Sequence, residues 1–323
     1  MTEPRPAPTA ADRGCAVLTW GLTKRFGDRV AVDALDLAIP FGSVCGFVGP
    51  NGAGKTTTIR MLLGLVRPSS GDGTVLGQPI TDPAAYLPRV GALIESPAHY
   101  PSMTGRANLL ALARLGHLDP IVVDRALERV GLRERADDTF RSYSLGMKQR
   151  LGIAAALLPD PQLVVLDEPV NGLDPAGILE TRTLIRSLAD DGITVFVSSH
   201  LLAEIEQVCD HLVMIQGGRL VYQGSVDDLA GDRGVQLVAR PEEAAQVDLV
   251  FAVVRSTGRH AEIVGDEVVV EAEPGWAGDL NRLAMGMGVT LVHLTERRRS
   301  LEDAFLELTG SASTSTRLGE VGQ

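Results

Sequence analysis

Apolar and polar positions follow two regimes along the chain. From 15 to about 229, short runs rich in Val and Ile alternate with longer stretches of helical period. "SVCGFVG" (43–49), "LVVLDEP" (163–169), "TVFVSSH" (194–200) and "HLVMIQGG" (211–218) are bounded by turn residues and predict buried strands of an α/β core. The span 100–158 reads as mostly helical. It is entered at "MTGRANLLALARLG" (103–116) with Thr104 as N-cap, and Ser144 in "YSLGMKQRLG" (143–152) caps a further helix. After "GSVDDLAGDRG" (224–234) the character changes. "VQLVA", "DLVFAVV" and "EVVVEAE" predict strands there, with helices over 276–286 and 301–308. The expected organisation is a flexible tail over 1–14 and an α/β domain over 15–230 with a helical subdomain at about 100–158. A small α+β domain over 231–310 and a flexible tail over 311–323 complete it. No repeat of fixed period is present.

Composition narrows the partners. Of 323 residues 45% are hydrophobic, enough for real cores. A net charge of −11 argues against nucleic acid as the principal partner, because phosphate backbones demand a basic face. Cys15, Cys45 and Cys209 are scattered and lack metal spacing, which predicts reduced, mostly buried thiols. The N-terminus has no apolar signal region, and no window approaches the ~18–20 apolar residues of a membrane span. The chain is expected to be soluble by itself, with a peripheral place at a membrane left open.

Chemistry enters at "GPNGAGKTT" (49–57), which fits G-x-x-x-x-G-K-[ST] between a predicted strand and a predicted helix. Gly49, Pro50, Asn51, Gly52, Ala53 and Gly54 form a loop whose N–H groups can surround phosphate oxygens. Lys55 adds a point charge, Thr56 a hydroxyl for Mg²⁺, and Thr57 continues the helix start. In "LVVLDEP" a strand ends in two acids: Asp167 to hold Mg²⁺, and Glu168 as general base towards an attacking water. His200 ends another strand, where it can donate to a terminal phosphate. The start of the helix at Ser144 is ready for an anion yet has no phosphate loop beside it in sequence.

These segments in this order resemble the ATP-binding cassette (ABC) family of transporter ATPases. The resemblance rests on 49–57, "SLGMKQ" (144–149), "VVLDEP" (164–169), "NGLDP" (171–175) and "SSH" (198–200), and covers about 15–230. It implies a P-loop nucleotide-binding domain that hydrolyses ATP with Mg²⁺. Two cassettes pair head to tail in that family. Ser144, Leu145, Gly146 and Met147 would then act in trans on a partner's nucleotide, and Asp174 would lie on the dimer seam. The usual signature is L-S-G-G-Q, so Leu145 replaces its first glycine and Met147 its glutamine. Phe26 matches the aromatic that stacks on adenine, the alternative being a core side chain. Glu95 stands where the family carries a glutamine that touches Mg²⁺. It is either a metal ligand or an exposed loop acid.

The segment around Glu95 is similar to ATPases of bacitracin-resistance and lantibiotic-immunity exporters, and "TLVHLTERRRSLEDAFLELTG" (290–310) to the extra domain of daunorubicin-type exporters. For that extra domain the resemblance implies regulation or dimer support. Arg297, Arg298 and Arg299 either contact a neighbour or are solvated. The implied assembly is a homodimer on the cytoplasmic side of the membrane, powering efflux of a drug or antimicrobial peptide through separate transmembrane permease subunits. An importer ATPase, or a soluble cassette protein not tied to transport, is the alternative.

Overall fold

The computed structural model describes residues 14–94, 99–231, 235–298, 301 and 305. The chain divides into two compact units, 1–226 and 227–323. In the first unit β1 (Cys15–Phe26), β2 (Arg29–Pro40), β3 (Val44–Val48) and α1 (Lys55–Leu62) come first. β4 (Ser70–Val75), β5 (Gln78–Pro79) and β6 (Val90–Leu93) follow. Next are α2 (Gly105–Leu115), α3 (Ile121–Arg129), α4 (Leu145–Leu157), β7 (Leu163–Asp167) and α5 (Pro175–Asp190). β8 (Thr194–Ser199), α6 (Leu202–Glu206), β9 (His211–Gln216), β10 (Arg219–Ser225) and α7 (Val226–Gly231) end the series, α7 spanning the division.

A six-stranded sheet, ordered β10-β9-β3-β8-β7-β6, forms the centre of this unit. All its neighbours are parallel except β10 on β9. Every residue of β3, β7 and β8 is buried, as expected of parallel strands covered on both faces. A second, antiparallel sheet has the order β2-β1-β4-β5 and shares the core cluster around Phe47, Ile59 and Phe196. The hydrophobic pattern alone does not delineate it. β1 pairs with β2 through repeated register shifts, so no clean alternation runs along it.

The second unit contains β11 (Val235–Pro241), α8 (Val247–Ser256), β12 (Ala261–Val264), β13 (Glu267–Ala272), α9 (Ala277–Gly286) and β14 (Leu291–Arg298). Its antiparallel sheet, β12-β13-β11-β14, has the β-α-β-β-α-β order of a ferredoxin-like module. The strand expected at "DLVFAVV" is instead helix α8. Val247, Val250 and Val254 face the core at helical spacing while Leu249 is exposed. Packing of that stripe overrides the strand preference of Val and Phe. Of the helix expected over 301–308, Leu301 and Phe305 are helical and the rest lies outside the described residues. So do 1–13, Glu95, Arg299 and the tail over 311–323.

The three cysteines are in no disulfide; burial pushes Cys45 and Cys209 well up, which keeps them protonated and inert. Among the described residues no helix is long and apolar enough to cross a membrane.

Candidate functional site

The parallel strands β3, β7 and β8 end in register: Val48 lies beside Ser199, and Asp167 beside Ser198. Whatever follows these strands therefore collects at one edge, the usual binding edge of an open α/β sheet. After β3 comes the loop 49–54. Gly49 is irreplaceable there, since a Cβ would stand 2.3 Å from the Ile215 carbonyl oxygen. Gly54, the N-cap of α1, has φ of 110° and no side chain to compete for the helix's free N–H groups. At the far end of α1, Tyr86 donates to the Leu62 carbonyl at 2.9 Å. Burial, with Asp82 nearby, raises that phenol to about 12, so it remains a donor.

A cavity of about 490 Å³ opens on this edge, lined by Arg29, Ala31, Asn51, Gly52, Gly54, Lys55, Thr56, Thr57, Glu168, Asn171 and His200. The loop glycines, with the α1 dipole behind them, make a cradle that fits a phosphate group. Lys55, only 7% exposed, donates to the Gly49 carbonyl at 2.7 Å and lies 3.5 Å from Glu168. The Thr56 hydroxyl donates to Asp167 at 2.9 Å. A hydroxyl and a carboxylate are hard oxygen donors suited to Mg²⁺, which keeps most of its shell for water and phosphate. Among the described residues no cluster of three His, Cys, Asp or Glu could hold a metal unaided. The donor set thus fits a cation that arrives with a phosphate.

Glu168 has φ of 51°, uncommon for a non-glycine residue. Its N–H is shared by the Ser198 carbonyl and hydroxyl at 3.2 and 3.0 Å. The same hydroxyl donates to the other oxygen of Asp167 in a short hydrogen bond. Ser198 is fully buried and so ties both acids to β8. His200 Nδ1 meets the Glu168 carboxylate at 2.8 Å. Arg29 lies in none of the quoted motifs, whereas Ser198 and Asn171 open the segments 198–200 and 171–175 but receive no role from the sequence alone. For Ser198 the available signal is a hydroxyl that follows the apolar run 195–197 of β8.

Other candidates lie elsewhere. Pro50 is exposed in the loop, and Ala53 is buried under it, donating to the Pro50 carbonyl. Phe26 is 51% exposed beneath the Lys24 ammonium, which removes the core alternative; it does not line the cavity, though its register partner Arg29 does. Ser144 caps α4 by accepting from Met147 N–H at 3.2 Å, Leu145 is exposed, and none of Ser144, Leu145, Gly146 or Met147 lines the cavity. Asp174 caps α5 by accepting from Gly177 N–H.

Comparison with known proteins places this geometry. The profile of the ABC transporter family matches residues 32–171. The bacitracin transport ATP-binding protein BcrA of Bacillus licheniformis is 41% identical over 302 residues, 92% of this chain and 98% of that protein. The chain belongs to the ABC transporter family. The daunorubicin resistance ATP-binding protein DrrA3 of Streptomyces coeruleorubidus is 35% identical, over 91% of this chain and 96% of that protein. Among solved structures, cbiO1 of Clostridium perfringens, part of the ABC transporter complex cbiONQ, aligns with a TM-score of 0.62 at 26% identity. That match covers 68% of this chain and 92% of cbiO1. As an ABC ATP-binding protein, the chain has the P-loop α/β fold expected above and is an ATPase coupled to transport.

Proposed function

We propose that this ATPase powers export of a drug or antimicrobial peptide through separate permease subunits, working as a homodimer at the cytoplasmic face of the membrane. Export is supported by the named relatives, which align over nearly their whole lengths. The hydrolytic assignment rests on one observation: Glu168 is held between Lys55 and His200, beside the Thr56–Asp167 pair, around a single cavity.

In this reading Lys55 and the loop N–H groups bind phosphate oxygens, and Thr56 and Asp167 hold Mg²⁺. Held there, Mg²⁺ would supply positive charge that offsets the charge of the phosphate chain. Glu168 orients the attacking water and accepts its proton. His200 fixes the Glu168 carboxylate through Nδ1. If Nδ1 donates there, Nε2 donates to a phosphate only as the imidazolium and accepts as the neutral tautomer. Glu168→Gln keeps the shape and removes the base. ATP hydrolysis is expected to slow by ~10²–10⁴-fold while ATP affinity is retained. Hydrolysis at the native rate would reject Glu168 as base. Export itself is checked by bacitracin and daunorubicin susceptibility of cells expressing the native chain or the Gln variant with its permease.

A further inference from the structure

Arg29 opens β2, three residues beyond Phe26, its register partner across the turn. Its guanidinium lines the same cavity as Lys55, Thr56 and Thr57, and its Nη2 lies 4.0 Å from where a Cβ on Gly52 would stand. Lys55 already faces the Gly49 carbonyl and Glu168. Arg29, by contrast, has no carboxylate partner among the described residues.

Charge balance gives this position weight. Among the described residues, the charged side chains lining the cavity are Arg29, Lys55 and Glu168, and the Asp167 carboxylate stands directly behind Thr56. Without Arg29, the lysine faces two carboxylates and the site is net negative. With it two cations balance two acids, on a chain whose net charge is −11. A cation in the concave site of an acidic protein offsets the repulsion that anions meet over the rest of the surface. The guanidinium also presents a planar fork of donors that matches two phosphate oxygens, which an ammonium does not.

We propose that Arg29 is a second phosphate-binding cation of this ATPase, gripping the phosphate chain of the nucleotide from the β1–β2 turn. The inference rests on the reading of this cavity as the nucleotide site. It makes Arg29 a determinant of affinity for phosphate number rather than for the base.

The test uses the full chain with Arg29→Gln, Arg29→Lys and Lys55→Ala, and measures equilibrium binding of ATP, ADP and adenosine by calorimetry at two salt concentrations. Arg29→Gln is expected to weaken ATP binding about tenfold (~1.4 kcal/mol), flatten its salt dependence, and leave adenosine binding unchanged. Arg29→Lys, which retains charge without the fork, is expected to fall between. The exposed side chain predicts an unchanged melting temperature without nucleotide. An ATP affinity for Arg29→Gln within about twofold of native, or an equal loss for adenosine, overturns the proposal. If Lys55→Ala abolishes ATP binding while Arg29→Gln does not alter it, only the role of Arg29 fails. If neither changes it, the nucleotide reading of the cavity fails as well.

Discussion

At the scale of single residues, the unusual feature is how the two acids are held. Glu168 adopts a left-handed backbone at the end of a buried strand, a conformation that costs about 1–3 kcal/mol unless its surroundings fix it. Ser198 does the fixing, with its carbonyl and hydroxyl on the Glu168 N–H and its proton on Asp167. Ser198→Thr and Ser198→Val add nearly the same bulk, but only the first retains a hydroxyl. Their difference therefore isolates the hydrogen bonds from the packing. The Val variant is expected to be less stable than the Thr variant by about 1–3 kcal/mol, and to lose kcat more than ATP affinity. Equal kcat in the two would remove the hydroxyl from the mechanism. The motif residues Lys55, Thr56, Asp167 and Glu168 can be read from sequence because each lies within a local pattern set by a strand end. The Ser198 link cannot, since it joins positions 30 and 31 residues apart whose proximity arises only when β7 and β8 pair.

Secondary-structure elements show the same division between local and tertiary causes. Thr104 and Ser144 are legible as caps because a hydroxyl before an apolar period satisfies N–H groups within its own turn. Both accept the expected bond, from Ala107 and Met147. Thr104→Ala is expected to cost about 1 kcal/mol, seen in calorimetry as a melting temperature lower by roughly 2–4 °C for a unit of this size. An unchanged transition would show that the bridge between Thr104 and Thr139 carries this helix start instead. α8 is the contrary case. Its run of Val, Leu and Phe is short enough to suit a strand, and what decides it is the row Val247, Val250 and Val254 meeting the sheet of the second unit. The sheet of β1, β2 and β4 escapes a pattern reading for a related reason: bulges interrupt the period-two alternation on which such a reading depends.

For the whole molecule the open question posed by the sequence is the helix start at Ser144, well capped yet away from the cavity of its own chain. An exposed leucine, Leu145, stands beside it, 3.5 Å from the Cβ position of Gly172 in the loop leading to Asp174. If two copies pair head to tail, each cavity is completed by the partner's Ser144, and defects on opposite sides of the seam should complement. Lys55→Ala disables the loop side and Ser144→Arg the helix side, with Ser144→Ala as the control for simple loss of the cap. A mixed dimer of the first two variants places both defects in one site and leaves the other site with a native loop and a native helix start. Equal mixing of two inactive proteins is then expected to restore roughly a quarter of native ATPase, since half of randomly formed dimers are mixed and each carries one intact site. A site completed within one chain predicts no recovery at any mixing ratio. The measurement separates the two arrangements without cargo or permease, because it depends only on which chain contributes each half of the site.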